Sequence, residues 1–332
     1  MANIKDTDYL SISARIRAME NRLLTRERME RMLEARTDDE AAKILAECGY
    51  SEIPALTNSA LDALVAKARG EVYRDLKGAV PEPKLVEVFQ MKYDYHNAKV
   101  LIKAQAVGAP ADRLLMEGGR WNPAAVQDAF HRDNLRDFTD LFRAAVTQAR
   151  EVLSAGGDPQ LADFTLDRAY FEEMKAAAKA TGSSFLEGYV RLLIDATNLR
   201  SAVRAARMGK GSDFLKQVLI AGGSVDVHTL TSGKGSDLNT VFRAGPLAEA
   251  AALGTARIAP GSGNLTAFER ACDDAVTRYL AQARRIPFGE QAVIGYLYAR
   301  ESEFTAIRTI LSGRMAGLSA DTIRERLREA YV

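Results

Sequence analysis

A polar and apolar pattern occurs twice in this 332-residue sequence at a constant offset of 101 residues. The first copy is MKYDYHNAKVLIKAQAVG, from Met91, and the second is DATNLRSAVRAARMG, from Asp195. The matched positions are Asp94 with Asp195, Asn97 with Asn198, Lys99 with Arg200, Lys103 with Arg204, and Gly108 with Gly209. Chance similarity between two Ala- and Arg-rich helices is the alternative. Five matches in one register favour a repeated structural unit instead.

A weaker third copy, YARESEFTAIRTILSG, lies 104 residues beyond the second. It places Arg308 opposite Arg204 and Gly313 opposite Gly209, but Ala299 and Ser302 replace the Asp and the Asn. Because the polar pair is lost, we expect the third copy to make its helix contact differently.

A further helix candidate precedes each copy: Leu61 to Lys77, Leu166 to Lys179 and Phe268 to Arg284. A period of this length exceeds the roughly 20 to 50 residues of a solenoid repeat. It fits three small helical domains, which we place at residues 1–108, 109–210 and 211–332. The Gly118-Gly119 turn after the first copy recurs as Gly222-Gly223 after the second.

The composition indicates an all-α fold. Proline accounts for only 9 residues, and alternating β-branched runs are almost absent. Thr25 is a predicted N-cap, Thr37 with Glu40 has the spacing of a capping box, and a long helix is predicted from about Pro83 to Gly108. The segment from Gly222 to Gly263, rich in Gly, Ser and Thr, is predicted to be a loop region around one short helix, Leu238 to Leu253.

On a helical wheel Asp94 and Asn97 border the apolar stripe, so we expect both to hydrogen-bond across to a neighbouring helix. The cations of the copies lie elsewhere on the wheel and are candidates for contact with an acidic partner, or simply form a solvated helix face. The candidates are Lys99, Lys103, Arg200, Arg204, Arg207 and Arg308.

Several functional classes are disfavoured. The 45 basic and 44 acidic residues give a net charge of +1, which argues against nucleic-acid binding. Cys48 and Cys272 are expected to be buried thiols, and the three histidines lack the spacing of metal ligands. No catalytic residue, cofactor or metal is therefore expected.

Two other features are assigned structural roles. Trp121 is expected to be a packing anchor. The GKGSD runs at Gly209 to Asp213 and Gly233 to Asp237 lack the upstream glycine of a phosphate loop, so we interpret them as helix-terminating turns. No stretch is apolar enough for a transmembrane helix.

Three segments together carry a resemblance to a known family. They are ARIRAMENRLLTRERMERMLEA with EAAKILAECGY, then KYDYHNAKVLIKA, and then DATNLRSAVRAARMGK with its later glycine pair. In order and spacing the sequence resembles the C subunit of bacterial and archaeal V/A-type rotary ATPases, whose eukaryotic counterpart is the d subunit of the V-ATPase. The resemblance covers essentially the whole sequence.

This resemblance implies a funnel of three similar helical domains with a pseudo-threefold arrangement. It also implies a non-catalytic rotor component that couples the central axle, made of the D and F subunits, to the membrane rotor ring of proteolipid c/K subunits. Such a component is cytoplasmic and peripheral, and it meets the membrane through the ring. The alternative, which the repeat by itself allows, is a helical adaptor with an unrelated protein partner.

Overall fold

The computed structural model describes residues 4–156, 158–232 and 237–332. Regular structure within them is helical, and no strand is present in these ranges, which confirms the all-α prediction. The α-helices described are α1 (Leu10–Glu20), α2 (Arg26–Glu34), α3 (Asp38–Glu47), α4 (Asn58–Ala79), α5 (Lys84–Val107), α6 (Pro123–His131), α7 (Asp140–Ser154), α8 (Pro159–Thr181), α9 (Ser184–Arg207), α10 (Ser212–Val218), α11 (Val227–Thr231), α12 (Leu238–Phe242), α13 (Ala248–Thr255), α14 (Thr266–Ala281), α15 (Glu290–Met315) and α16 (Ala320–Arg326).

Local capping signals define the starts of the early helices. The hydroxyl of Thr25 accepts the Arg28 N–H at 3.3 Å, and that of Thr37 accepts the Glu40 N–H at 3.1 Å. The Glu40 carboxylate accepts the N–H of Arg36 at 3.0 Å, one residue before the position that a capping box specifies. Both predicted N-caps are confirmed.

The long helices match their predicted extents. Helix α5 ends before Gly108, whose φ of +64° is left-handed and stops the helix. Helices α4, α8 and α14 cover the three candidates that precede the copies, apart from the last residues of the third, which form a 3₁₀ turn, Gln282–Arg285.

The chain divides into two compact units, each described by itself. The first comprises Met1–Ala68, Ala79–Pro81 and Arg191–Val332, of which residues 1–3 and 233–236 are not described. The second comprises Arg69–Gly78 and Glu82–Val190. The division into domains 1–108, 109–210 and 211–332 stays a prediction, as does the pseudo-threefold funnel.

In the second unit α5 packs against α6, α7 and α8, and α7 packs against α8. Their shared core includes the fully buried Phe142 and Val126. Trp121 lies at its edge and meets Phe138 in a T-shaped contact with ring centroids 4.8 Å apart. The tryptophan therefore packs as expected.

In the first unit α15 packs against α1, α2, α3, α14 and α16. Met32 and Leu45 near the start of the sequence share one hydrophobic core with Ile307 and Leu311 near its end. Segments far apart in sequence thus bury their apolar stripes together, because no short helix can bury its own.

Two predictions about the later loops need correction. The single helix at Leu238 to Leu253 is two helices, α12 and α13, since Pro246 lacks an N–H and disfavours helical geometry at Gly245. The surrounding segment also contains α11, so it is more ordered than a loop around one helix.

The two glycine-lysine runs have different outcomes. Gly209 has a φ of +64° two residues after Arg207, the last residue of α9, which confirms a helix-terminating turn. In the second run residues 233–236 lie outside the described residues. Asp237, its last residue, caps α12 by accepting the N–H of Asn239 at 3.1 Å.

Candidate functional site

The amide side chain of Asn97 holds the loop that follows its own helix. Its Nδ2 donates to the Met116 carbonyl at 2.9 Å, and the Met116 N–H donates to its Oδ1 at 2.8 Å. Asn97 is completely buried. The pairing satisfies a donor and an acceptor of the loop backbone away from water, where unpaired groups are costly.

Asp94, one helical turn earlier, holds the next part of the same loop. Its Oδ1 accepts the Arg120 N–H at 3.0 Å, and its Oδ2 accepts from Arg120 Nε at 2.6 Å. A Cβ added at Gly119 would overlap Asp94 Oδ1, so only glycine allows this approach. We term Asp94, Asn97 and residues 116–120 the first clamp.

The second copy builds the same arrangement. Asn198 donates to the Ile220 carbonyl at 2.8 Å and accepts the Ile220 N–H at 2.9 Å. Asp195 accepts the N–H groups of Ser224 at 2.9 Å and Val225 at 3.1 Å. We term Asp195, Asn198 and residues 220–225 the second clamp.

The glycine pairs of the two clamps are equivalent. Gly118 and Gly222 both have a φ of +107°, and a Cβ at Gly223 would overlap Asp195 Oδ1 as one at Gly119 would overlap Asp94. The predicted equivalence of the turns is confirmed. The predicted hydrogen bonds to a neighbouring helix are not found. The polar pairs instead bond to the loop that follows their own helix.

The third copy uses a different residue, Glu303. Its Oε2 accepts the Leu24 N–H at 2.5 Å, while its Oε1 accepts from the Tyr50 hydroxyl and, at 2.6 Å, from Arg300 Nη1. Glu303 follows Ser302, the position aligned with Asn198. It therefore replaces the lost amide as a buried acceptor for a loop N–H, and the third copy does make its contact differently.

The first clamp also contains a buried charge network. Arg120 Nη1 donates to Glu173 Oε1 at 2.7 Å, and Glu173 also accepts from the hydroxyls of Tyr95 at 2.8 Å and Thr139 at 2.7 Å. Arg120, Asp94 and Glu173 form an ion-paired triad whose side chains are at most 8% exposed.

Burial and neighbouring charges shift the pKa values of the buried acids Asp94, Asp195 and Glu173 in opposite directions. Desolvation raises the pKa of Asp94 to about 7 even though Arg120 lowers it, and burial likewise raises the pKa of Asp195. Burial acts to raise the pKa of Glu173 too, but the hydrogen bond and charge of Arg120, together with the hydrogen bonds from Thr139 and Tyr95, outweigh it and lower the pKa.

Each predicted partner-facing cation has a partner within its own chain. The contacts are Lys99 with Asp167 at 2.5 Å, Lys103 with Asp163 at 3.1 Å, Arg200 with Glu269 at 2.9 Å, Arg204 with Glu269 at 2.7 Å, Arg207 with the Gly263 carbonyl at 3.0 Å, and Arg308 with Asp62 at 2.9 Å. The cations of α5 thus meet α8, those of α9 meet α14 or the loop before it, and that of α15 meets α4. A contact with another protein stays a prediction.

The terminating glycines are equivalent in two copies only. Gly108 and Gly209 share a φ of +64°, whereas Gly313 lies inside α15. A Cβ at Gly313 would lie 2.9 Å from Ile323 Cγ1, so this glycine makes room for α16. Helix α15 stops later, before Gly317 with its φ of +71°.

The remaining candidate side chains have structural environments. Cys48 and Cys272 are buried, and desolvation raises their pKa values to about 11 and about 12. The ring Nε2 of His96 lies 3.1 Å from the Leu114 carbonyl. Among the described residues, no three His, Cys, Asp or Glu side chains are grouped as metal ligands would be.

Sequence reasoning missed Arg120, Glu173 and Glu303. A signal existed for Glu303, which stands four residues after Ala299 and four before Ile307 on an apolar helix face. Arg120 and Glu173 offered none, since only tertiary packing brings the loop to α8.

The fold and these clamps define an all-α protein in which polar side chains of long helices hold adjacent loops. Of the helices in the described ranges, none combines the length and apolar character needed to cross a bilayer. The ATP synthase (C/AC39) subunit family matches residues 12–326, and the chain belongs to this family. It is a non-catalytic component of a V/A-type rotary ATPase complex.

Similar proteins extend along nearly the whole chain. The C subunit of the V-type sodium ATPase of Enterococcus hirae is 24% identical over 325 residues, covering 98% of this chain and 99% of that protein. The C subunit of the A-type ATP synthase of Thermococcus kodakarensis is 23% identical over 335 residues, covering 97% and 90%. That of Methanocaldococcus jannaschii is 24% identical over 352 residues, covering 96% and 86%.

Replacing Asn198 with Leu tests the second clamp. The change conserves approximate volume but leaves the buried N–H and carbonyl of Ile220 unpaired, at about 1–3 kcal/mol for each group. We expect a clearly lower melting temperature by calorimetry. Thr197→Ala, at the adjacent half-buried position, is the matched control and should change the melting temperature little. Equal melting temperatures for Asn198→Leu and the wild type would contradict the clamp.

Replacing Asp94 with Asn tests the charge state of the first clamp. Because the pKa of Asp94 rises from 3.8 to about 7 on folding, the folded state binds the proton more tightly. The stabilisation that the protonated Asp94 contributes is complete below the pKa of the unfolded state. It is lost as the pH rises through the pKa of the folded state. Relative to Asp94→Asn, the wild type should therefore lose melting temperature between about pH 4 and about pH 7. Since Arg120 and Glu173 are present in both proteins, the difference reports Asp94. The raised pKa of Asp94 is contradicted if the difference in melting temperature between the two proteins does not depend on pH. It is also contradicted if the wild type gains melting temperature relative to Asp94→Asn as the pH rises.

Proposed function

We propose that this protein is the rotor component that couples the central axle, formed by the D and F subunits, to the membrane rotor ring of c/K proteolipids. In this role it transmits torque for ion transport or ATP synthesis. It would lie on the cytoplasmic face of the membrane and attach through the ring. Family membership supports the assignment to the complex, and the repeated clamp supports the mechanical role.

The clamp is the observation that carries the mechanical part. A part that transmits torque has to resist shear between its helices and loops. In both clamps two side chains one helical turn apart on a long helix make four hydrogen bonds to one loop. Their lengths are 2.6–3.0 Å in the first clamp and 2.8–3.1 Å in the second. Buried, fully paired polar groups lock a single geometry, because every displacement leaves a group unsatisfied.

The ion pairs between long helices support the same role. Three long helices, α5, α9 and α15, each direct cations at carboxylates of another helix of the same unit. Each exposed pair contributes little alone. Repeated along three helices, the pairs oppose sliding of one helix along the next.

Reconstitution tests the proposal. The purified protein should bind the D–F axle and, separately, detergent-solubilised rotor ring in size-exclusion chromatography, and should hydrolyse no ATP alone. When the complex is assembled in vesicles without this protein, we expect the catalytic head to retain hydrolysis while ion transport is lost. Adding the protein, or its Thr197→Ala variant as a control, should restore transport. Full transport in its absence would refute the proposal.

An exchange of charges tests whether Lys99 faces another protein of the complex. Lys99→Asp and Asp167→Lys each break the pair, and the double variant rebuilds it in reverse. Because Asp167 already neutralises Lys99 at 2.5 Å, we expect the double variant to regain both melting temperature and binding to the D–F axle and the ring. Regained stability with weakened binding would instead assign Lys99 to a partner contact.

A further inference from the structure

Two exposed arginines, Arg207 and Arg257, are held on one loop of the first unit. Arg207 Nη1 donates to the Gly263 carbonyl at 3.0 Å, and Arg257 Nη1 donates to the carbonyl of the preceding residue, Ser262, at 2.5 Å. Both acceptors are uncharged, so these contacts orient the guanidinium groups without neutralising them. Two like charges are therefore fixed on consecutive residues of a single loop.

A third exposed cation, Lys210, follows the glycine that terminates α9. Its Nζ lies 5.9 Å from the centroid of the Phe214 ring, which is again an uncharged partner. Within the described ranges, none of the three cations is ion-paired with a carboxylate. Met208, between two of them in sequence, is 55% exposed. We term Arg207, Met208, Lys210 and Arg257 the cationic patch.

The end of a long helix does not need these cations. At the offset of 101 residues the first copy has Ala106 in place of Arg207 and Ala109 in place of Lys210. The glycines that terminate α5 and α9 share a φ of +64°, and the N–H groups of Ala109 and Lys210 close the two turns at the same distance, 2.9 Å. Cations favour the C-terminal end of a helix dipole, but α5 ends in the same geometry without them.

The third copy does not repeat the patch either. At its offset of 104 residues, Leu311 replaces Arg207 and Arg314 replaces Lys210. Leu311 is completely buried, and the Arg314 side chain, 13% exposed, donates to Asp38 at 3.0 Å. Both residues are used in packing the first unit. The exposed cations without a carboxylate partner are therefore a property of the second copy and not of the repeat.

We infer that the cationic patch binds an acidic segment of the D–F axle, with Met208 covered by an apolar side chain of that segment. This inference rests on the proposed coupling role. Guanidinium groups in a fixed orientation match the geometry of carboxylates, and methionine adapts its shape to an apolar partner. A ring of repeated proteolipids presents the same chemistry all around, so it suits a surface that the copies share. A patch confined to one copy suits the axle, whose two subunits differ.

Calorimetric titration of the full chain with purified D–F axle tests the patch. The variant Arg207→Ala/Lys210→Ala gives the second copy the residues that the first copy already has, so its melting temperature should equal that of the wild type. Its affinity for the axle should fall about tenfold in about 0.05 M NaCl, and the difference should shrink in about 0.5 M NaCl, where screening removes the attraction. Met208→Ser should weaken binding at both salt concentrations, because it removes an apolar contact and no charge.

The matched control is Arg132→Ala/Arg136→Ala, which removes the same charge from two exposed positions of the second unit and should bind the axle as the wild type does. Wild-type affinity of Arg207→Ala/Lys210→Ala for the axle overturns the inference about the patch alone. So does a loss of affinity for the solubilised rotor ring, or for vesicles of phosphatidylserine, without a loss for the axle. A wild-type protein that binds neither axle nor ring contradicts the proposed function and this inference together.

Discussion

A loop can be buried only when its peptide groups find hydrogen-bond partners away from water. In this protein side chains of the long helices supply those partners. Asn97 and Asn198 each pair with both polar groups of one loop residue, and the aspartate one turn earlier holds the next stretch. The second glycine of each pair belongs to the same arrangement, because a Cβ at Gly119 or Gly223 would overlap the aspartate.

The first clamp contains a buried network of three charged side chains, whereas the second clamp satisfies its aspartate with backbone N–H groups. Asp94 loses hydration on burial, and Arg120 compensates with both a backbone and a side-chain hydrogen bond. The cation in turn requires Glu173, because an unbalanced buried charge is strongly unfavourable. Asp195 instead accepts two backbone N–H groups, which satisfies the carboxylate without a network of this kind.

The proposed coupling role depends on shape and stiffness, and the buried polar contacts of this protein are consistent with that role. Its buried acids, hydroxyls and amides are used in holding helices to loops. The numbers of basic and acidic residues nearly balance, with a net charge of +1. Binding to other proteins then depends on local patches and not on a long-range field.

Helix positions, caps and the two matched copies were predictable from sequence, because helical hydrogen bonds and capping connect residues a few positions apart. The terminating glycines of the first two copies, the glycine pairs and the placement of Asp94 and Asn97 beside the apolar stripe have the same local origin. Tertiary structure alone decided which groups meet: Arg120 with Glu173, Glu303 with Leu24, and the cations of the copies with their partners. Such contacts join residues tens to hundreds of positions apart, and a sequence pattern of period 3.6 records which face of a helix is buried but not what lies against it.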